Sequence, residues 1–283
     1  MSRYENPDVP HEVNVAKTSA AVESVRLILA LVAICIAVVV TIFLGMRFTV
    51  SYIPFRYEQA LADPWAARLD SAPPSPSRQY LQNLAESLAA QMNLPADIRL
   101  DIHVSETCVP NAFATLGGHI TVTRGLLDRV GSENALAMVL AHEIAHIKHR
   151  DPIISAGSGI VLAILAGAVF GNSDSAPVGN SSTVLTQLHF SRSQENAADK
   201  TALAALEKHY GHTAGADGFF QEILKIENKI GTTPEFLSTH PDTRNRLRRI
   251  STHSSGHREA SLTPLPDFLH QAQTEKARCD NDD

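Results

Sequence analysis

The longest uninterrupted apolar stretch lies near the amino terminus. No charged residue occurs from Leu27 to Met46, and Arg26 and Arg47 flank the stretch. At about 1.5 Å per residue, twenty helical residues span roughly 30 Å, the hydrocarbon thickness of a bilayer. A buried core helix is the alternative, but a core helix usually has a polar face and this stretch has none. The pattern predicts an uncleaved transmembrane anchor over 25–47, which contacts lipid through residues 27–46.

The rest of the chain divides by composition into four segments. Residues 1–24 are polar and mixed in charge, which predicts a disordered tail. Residues 48–77 contain five prolines, which oppose regular structure and predict a linker. A folded domain is predicted over 78–253, and the polar residues 254–283 are predicted to form a tail that is ordered only in part.

Helical and strand periodicities alternate within the predicted domain. Apolar residues recur at helical spacing at Leu81, Leu84, Leu88 and Met92, which predicts a helix. Apolar residues then alternate strictly with polar ones at Ile98, Leu100, Ile102 and Val104, which predicts a strand. A second short strand is expected around Ile120 and Val122, after a turn at Gly117-Gly118, and helical periodicity resumes after Ser132. The patterns predict an α+β protein that is mainly helical, with a small β-sheet and one N-terminal transmembrane helix.

Charge and cysteine content exclude two classes of protein. A net charge of −6 and a pI near 6.1 argue against a nucleic-acid partner, which would require a basic face. Three cysteines are too few for a disulfide scaffold. The 13 histidines make metal binding worth testing.

The stretch His142-Glu143-Ile144-Ala145-His146 carries the strongest chemical signal. Residues four apart lie on one face of a helix, so His142 and His146 can present two imidazoles to one zinc ion. Glu143, beside the first histidine, is placed to act as the catalytic base that activates the attacking water. A short motif of this kind also arises by chance, but here it falls within an apolar-periodic helix.

A third protein ligand is expected, because catalytic zinc sites usually have three. The zinc proteases that use a third histidine are excluded, since His149 and Pro152 occupy the required glycine and histidine positions. The best candidate is Glu195, which shares a helical face with Asp199, four residues later. One carboxylate would bind the metal and the other would orient a ligand histidine.

Four blocks of sequence resemble the Ste-type CAAX protease, HtpX and Oma-type metallopeptidases, which are gluzincins. The blocks cover Asn111–Leu127, His142–Asp151, Ser191–Asp199, and Ser238–Pro241 followed by Arg246. The resemblance extends over about residues 80–250. It implies a zincin-like metalloprotease domain with one zinc ion per chain, which hydrolyses peptide bonds of membrane-associated or misfolded proteins.

The resemblance also implies a role for each site residue. His142, His146 and Glu195 match the zinc ligands, Glu143 the base, and Asp199 a residue that orients a ligand histidine and is sometimes called a proton donor. His240 matches a late histidine near the oxyanion, although a structural role for it stays open. Asn111 and Ala112 match an edge strand that pairs with a peptide substrate. A catalytically silent binding or chaperone-like protein on the same fold is the rival interpretation.

A second charge-free segment covers residues 153–170. A membrane span there would require a return span before Glu195, through residues 171–190, which are rich in serine and asparagine. We therefore expect a buried helix, or one that touches the bilayer surface near the site.

The side of the membrane is not settled by charge, because two basic residues lie near each end of the anchor. The short leading tail, the proline-rich segment after the anchor and two cysteines outside it favour a protease domain away from the cytoplasm, periplasmic if the chain is bacterial. An oxidising compartment would permit a disulfide bond between Cys108 and Cys279; the sequence leaves open whether they form it or remain two free thiols. Natural substrate, cleavage specificity and oligomeric state do not follow from the sequence.

Overall fold

This computed structural model of the 283-residue chain describes residues 19–69, 75–157, 190–230, 234–240, 243–256 and 260–270. The chain divides into two compact units, Met1–Gly45 and Met46–Asp283. The described residues are mainly helical and include one small three-stranded sheet, so the predicted α+β class is confirmed.

The first helix, α1 (Ala20–Thr49), contains the predicted anchor. Among the described residues, this is the one helix long and apolar enough to cross a membrane, judged by the length and composition of Ala20–Thr41. None of that stretch is buried inside the protein. This stretch of α1 is therefore a candidate membrane span by length and composition.

Residues predicted to form a linker contain a second helix, α2 (Phe55–Leu69). Its Phe55 and Ala62 side chains are fully buried, and Ala62 packs so closely against Gly117 that a Cβ there would lie 2.7 Å from the alanine Cβ. The linker prediction is wrong here because proline is tolerated before a helix and in its first turn, and Pro54 directly precedes α2. Burial of apolar side chains then outweighs the interruption at Pro64 inside the helix.

The sheet forms beside helix α3 (Pro76–Gln91). Ser75 caps α3 by accepting a hydrogen bond from the Arg78 amide over 3.1 Å. Three strands follow: β1 (Asp101–Ser105), β2 (Ala112–Ala114) and β3 (His119–Thr123). Their order is β1-β3-β2, with β1 parallel and β2 antiparallel to β3, so β2 lies at an edge.

Two long helices form the centre of the protein. After the short α4 (Arg124–Leu127), α5 (Glu133–Lys148) begins at its cap Ser132, and every residue from Asn134 to Ile147 is buried. Helix α6 (Arg192–Tyr210) begins at a capping box formed by Ser191 and Gln194 and ends at Gly211, whose φ is +77°. The remaining helices are α7 (Gly218–Ile230), α8 (Glu235–Thr239), α9 (Thr243–Ser255) and α10 (Asp267–His270).

Two predictions concern residues that the structure describes only in part. Of the charge-free segment 153–170, residues 153–157 are helical, with Ile154 and Ala156 buried, and 158–170 lie outside the described residues. Cys108 is disulfide-bonded and Cys35 is free. Cys279 lies outside the described residues, so its pairing with Cys108 stays open, and both tails stay predictions.

Candidate metal centre

Helix α5 brings His142 and His146 together as the spacing predicts. Both side chains are almost completely buried, and their Nε2 atoms lie 3.0 Å apart. The two rings meet edge to face, with centroids 4.6 Å apart. Two imidazole nitrogens therefore point towards one small volume.

Glu195 reaches the same volume from the first turn of α6, where the helix dipole favours a carboxylate. Its Oε2 lies 3.4 Å from Nε2 of His142, and its Oε1 lies 3.4 Å from Nε2 of His146. Atoms that bind one zinc ion tetrahedrally at about 2.0–2.1 Å lie roughly 3.3 Å from one another. The spacing of these three side chains fits a zinc ion.

Each histidine is held from behind by an aspartate. Nδ1 of His142 lies 3.1 Å from Oδ1 of Asp199, and Nδ1 of His146 donates to Oδ2 of Asp151 over 2.8 Å. A carboxylate behind a histidine fixes the tautomer that leaves Nε2 free to bind a metal. Gln194 donates to the other oxygen of Asp151 over 2.8 Å, which links the cap of α6 to this arrangement.

Arg246 supplies the positive charge behind the site. Its guanidinium is fully buried and donates to both carboxylate oxygens of Asp199, over 2.9 and 2.8 Å. It also forms an ion pair with Glu195 and lies over the ring of Phe220. A buried guanidinium between two carboxylates offsets their mutual repulsion.

His240 lies against both the candidate ligands and the candidate base. Its Nδ1 is 3.0 Å from Oε1 of Glu195 and 3.4 Å from Nε2 of His142, and its Nε2 is 3.7 Å from Oε1 of Glu143. The ring stacks on Phe236, with centroids 4.7 Å apart. His240 is thus placed in the site, and its nitrogen lies close enough to count among the possible ligands.

Glu143 connects this centre to the sheet. One carboxylate oxygen accepts a hydrogen bond from the amide of Ala114 over 2.8 Å. The other, Oε1, is buried without a hydrogen-bond partner among the described residues. This oxygen of Glu143 lies next to a group of four possible metal ligands.

The edge strand differs from the prediction in one respect. The amide and carbonyl of Asn111 bond to Thr123, so they point into the sheet. Because main-chain directions alternate along an antiparallel strand, the main-chain groups of Ala112 and Ala114 point to the outer edge. On that side of β2 the amide of Ala114 bonds to Glu143 and Ala112 is fully buried, and the main chain of Asn111 is not at the outer edge as expected.

Close contacts shift the pKa values of the charged groups. Burial opposes ionisation of both Glu195 and Asp199. Even so, the neighbouring histidines hold the pKa of Glu195 well below its usual range. Contacts with His142 and Arg246 lower the pKa of Asp199 in the same way. Burial also opposes protonation of His146, yet hydrogen bonds to Asp151 and Glu195 raise its pKa to about 10. Histidine binds metal in its neutral form, so cation binding at this site would release protons.

Two residues with clear structural roles received none from the sequence. Asp151 and Arg246 lie within the blocks that resemble the metallopeptidases, but no residue spacing predicts a contact for either. Asp151 lies beyond the end of α5, where helical periodicity no longer predicts direction. Arg246 lies on α9, 47 positions from the aspartate that it binds.

The chain is similar to known metalloproteases. Residues 75–254 match the family model described as Peptidase family M48. The chain is 29% identical to the mitochondrial metalloendopeptidase OMA1 of Schizosaccharomyces pombe, over 62% of this chain and 52% of that protein. It is 35% identical to the protease HtpX of Legionella pneumophila, over 39% of this chain and 38% of that protein. A protease HtpX homologue of Pyrococcus abyssi is 29% identical, over 65% of this chain and 75% of that protein.

Proposed function

The chain belongs to peptidase family M48, and we propose that it is a membrane-anchored, zinc-dependent endopeptidase. The observation that carries this proposal is the joint approach of His142, His146 and Glu195 to one point, with Glu143 beside them. These three side chains would hold a single zinc ion. A bound zinc ion would act as a Lewis acid and lower the pKa of water.

The roles of the neighbouring residues follow from their contacts. Glu143, with its unpartnered Oε1, would take a proton from the attacking water and pass it to the leaving amine. His240 would donate a hydrogen bond to the charge that develops on the peptide oxygen. Asp199 and Asp151 would keep the two ligand histidines in the tautomer that binds metal.

The substrate would be an extended segment of a protein. Strand β2 is an edge strand of the described sheet, and the main chain of Ala112 points away from β3, towards that edge. A peptide can add to such an edge by main-chain hydrogen bonds. A peptide bound at this edge would have its scissile bond beside Glu143, which bonds to the same strand at Ala114. Membrane-associated or misfolded proteins expose segments of this kind.

Substitution of the base tests the catalytic proposal. We expect Glu143→Gln to retain zinc, measured by elemental analysis of the purified protein, and to abolish cleavage of casein. Glu207→Gln is the matched control, because Glu207 is exposed on α6. Full activity of Glu143→Gln would refute the assigned base. Wild-type protein that holds zinc and cleaves neither casein nor itself would instead favour the rival, a silent binding or chaperone-like protein.

We propose further that residues 25–47 anchor the chain and that the protease domain, residues 78–253, faces away from the cytoplasm. The exposed apolar surface of α1 supports the anchor. The disulfide bond at Cys108 favours an oxidising compartment. Protease added to spheroplasts of an expressing bacterium should digest the domain. A domain that resists until the inner membrane is lysed would show the opposite orientation.

A further inference from the structure

A second group of metal-binding side chains lies on the β1–β3 strand pair. Asp101 and His103 are two residues apart on β1, and His119 is the partner of Asp101 on β3, so all three lie on one face of the sheet. Nε2 of His103 is 3.0 Å from Nδ1 of His119, and these nitrogens lie 3.4 and 3.5 Å from Oδ2 of Asp101. None of these residues belongs to the site described above.

Hydrogen bonding alone cannot satisfy all three contacts. If both rings donate to Asp101, two N–H groups face each other at 3.0 Å. If His103 donates to His119 instead, the Nδ1 lone pair of His119 faces the carboxylate at 3.5 Å. In either arrangement of the histidine protons, two of the three side chains face each other with groups that repel. A cation at the centre would accept all three lone pairs at once.

The surroundings hold the group in place and leave it reachable. His103 is 4% exposed and His119 12%, whereas the Asp101 side chain is 37% exposed. A cleft of about 500 Å³ borders Asp101 and His119. The turn before His119 is fixed by Gly118, where a Cβ would lie 2.0 Å from the Arg99 carbonyl oxygen.

Arg78 orients the carboxylate of Asp101 by bonding to Oδ1, the oxygen that does not face the histidines. Its guanidinium donates to Oδ1 of Asp101 over 2.9 Å and to the carbonyl of Ile102 over 2.7 Å. Oδ2 is thereby directed at the two rings. Because Arg78 offsets the charge of Asp101, imidazole nitrogens must supply most of the affinity. Such a site disfavours Mg²⁺ and Ca²⁺, which need several oxygen ligands.

We propose that Asp101, His103 and His119 form a second metal site, which binds a divalent first-row transition metal such as Zn²⁺. The three distances, 3.0 to 3.5 Å, match the roughly 3.3 Å between neighbouring ligands of a tetrahedral zinc ion. A water molecule from the cleft that borders Asp101 and His119 would complete the coordination. The metal would join β1 to β3 and so stiffen the sheet whose edge strand is β2. This site is additional to the single zinc ion expected from the sequence.

Zinc binding in a background without the catalytic site tests the proposal. The full-length chain, purified in detergent, carries His146→Ala and is dialysed against Zn²⁺, after which bound zinc is measured by elemental analysis. We expect one equivalent, and a melting temperature that rises when zinc is added. Adding His119→Ala, or Asp101→Asn, should abolish both the bound equivalent of zinc and the rise in melting temperature. Adding His253→Ala, an exposed histidine on α9, should change neither.

Two results would overturn the second site. One is a folded His146→Ala protein that binds no zinc. The other is an equivalent of zinc that survives both His119→Ala and Asp101→Asn. If His146→Ala does not fold, the same assay on the otherwise unchanged chain decides: His119→Ala should lose one equivalent relative to the wild type, and equal zinc content would refute the site. Casein cleavage is not part of this test, so it is independent of the catalytic proposal.

Discussion

Asp151 accepts a hydrogen bond from Nδ1 of His146 over 2.8 Å, although it lies beyond the end of the helix that carries the histidine. We expect Asp151→Asn to weaken zinc binding about 10- to 100-fold, because an amide holds the ligand ring less firmly than a carboxylate. Competition with a chelator of known affinity measures the change. Asp97→Asn, at an exposed aspartate, should leave affinity unchanged. Equal affinities for Asp151→Asn and the wild type would remove Asp151 from the site.

The two carboxylates of α6 should differ in their effect on metal binding. Glu195→Ala removes a ligand and should lower zinc affinity by several orders of magnitude. Asp199→Ala leaves the ligands in place and should cost about 10- to 100-fold. Zinc content after dialysis against graded chelator separates the two, with Glu207→Ala on the same helix as control. Equal and small losses would mean that α6 does not supply the third ligand.

The buried ion pair between Arg150 and Glu58 joins α2 to the end of α5. Its atoms lie 2.7 Å apart, and Glu58 is 1% exposed. Arg150→Ala leaves a buried carboxylate without its cation and should lower the free energy of unfolding by about 3–5 kcal/mol. Urea denaturation of the detergent-solubilised chain measures this.

Two comparisons make the ion-pair test specific. Adding Glu58→Gln to Arg150→Ala should recover part of the loss, because the uncompensated charge is gone. Arg244→Ala removes an exposed arginine that pairs with Glu227 and should change stability by no more than about 0.5 kcal/mol. Identical losses at positions 150 and 244 would show that burial of the pair has no energetic consequence.

Stability should fall at alkaline pH because of two tyrosines. Tyr80 and Tyr210 both donate to the carboxylate of Glu133, and burial together with these bonds raises the pKa of each phenol. A tyrosine whose pKa is higher in the folded state than in the unfolded state contributes to the free energy of unfolding. This contribution is complete at pH values below the unfolded-state pKa, about 10, and is lost as the pH rises above that value. Urea denaturation between pH 8 and 11.5 should show this loss.

Removal of the two phenols should reduce the alkaline effect. In the double variant Tyr80→Phe, Tyr210→Phe, the slope of stability against pH above about 10 should become shallower, because fewer protons distinguish the folded and unfolded states. Tyr52→Phe, at a tyrosine 72% exposed, is the control and should keep the wild-type slope. An unchanged slope in the double variant would assign the alkaline loss to other groups.

The sequence by itself determined the parts of this protein that depend on local periodicity. Residues four apart share a helical face whatever surrounds the helix, so the pairing of His142 with His146 was readable from spacing alone. The length of the charge-free run likewise identified α1 as a candidate span. The α+β class followed from the change between helical and alternating patterns. The exclusion of a third histidine made Glu195 the best candidate for the third ligand.

Only the tertiary structure decided which distant residues meet. Arg246 binds Asp199 across 47 positions, and His103 meets His119 through strand pairing, and no local period encodes such contacts. The prolines of residues 48–77 predict a linker, whereas burial of Phe55 and Ala62 against other elements stabilises helix α2 in the folded protein. Periodicity fixes which way a side chain points from its own element. The packing of other elements against that side decides its partner.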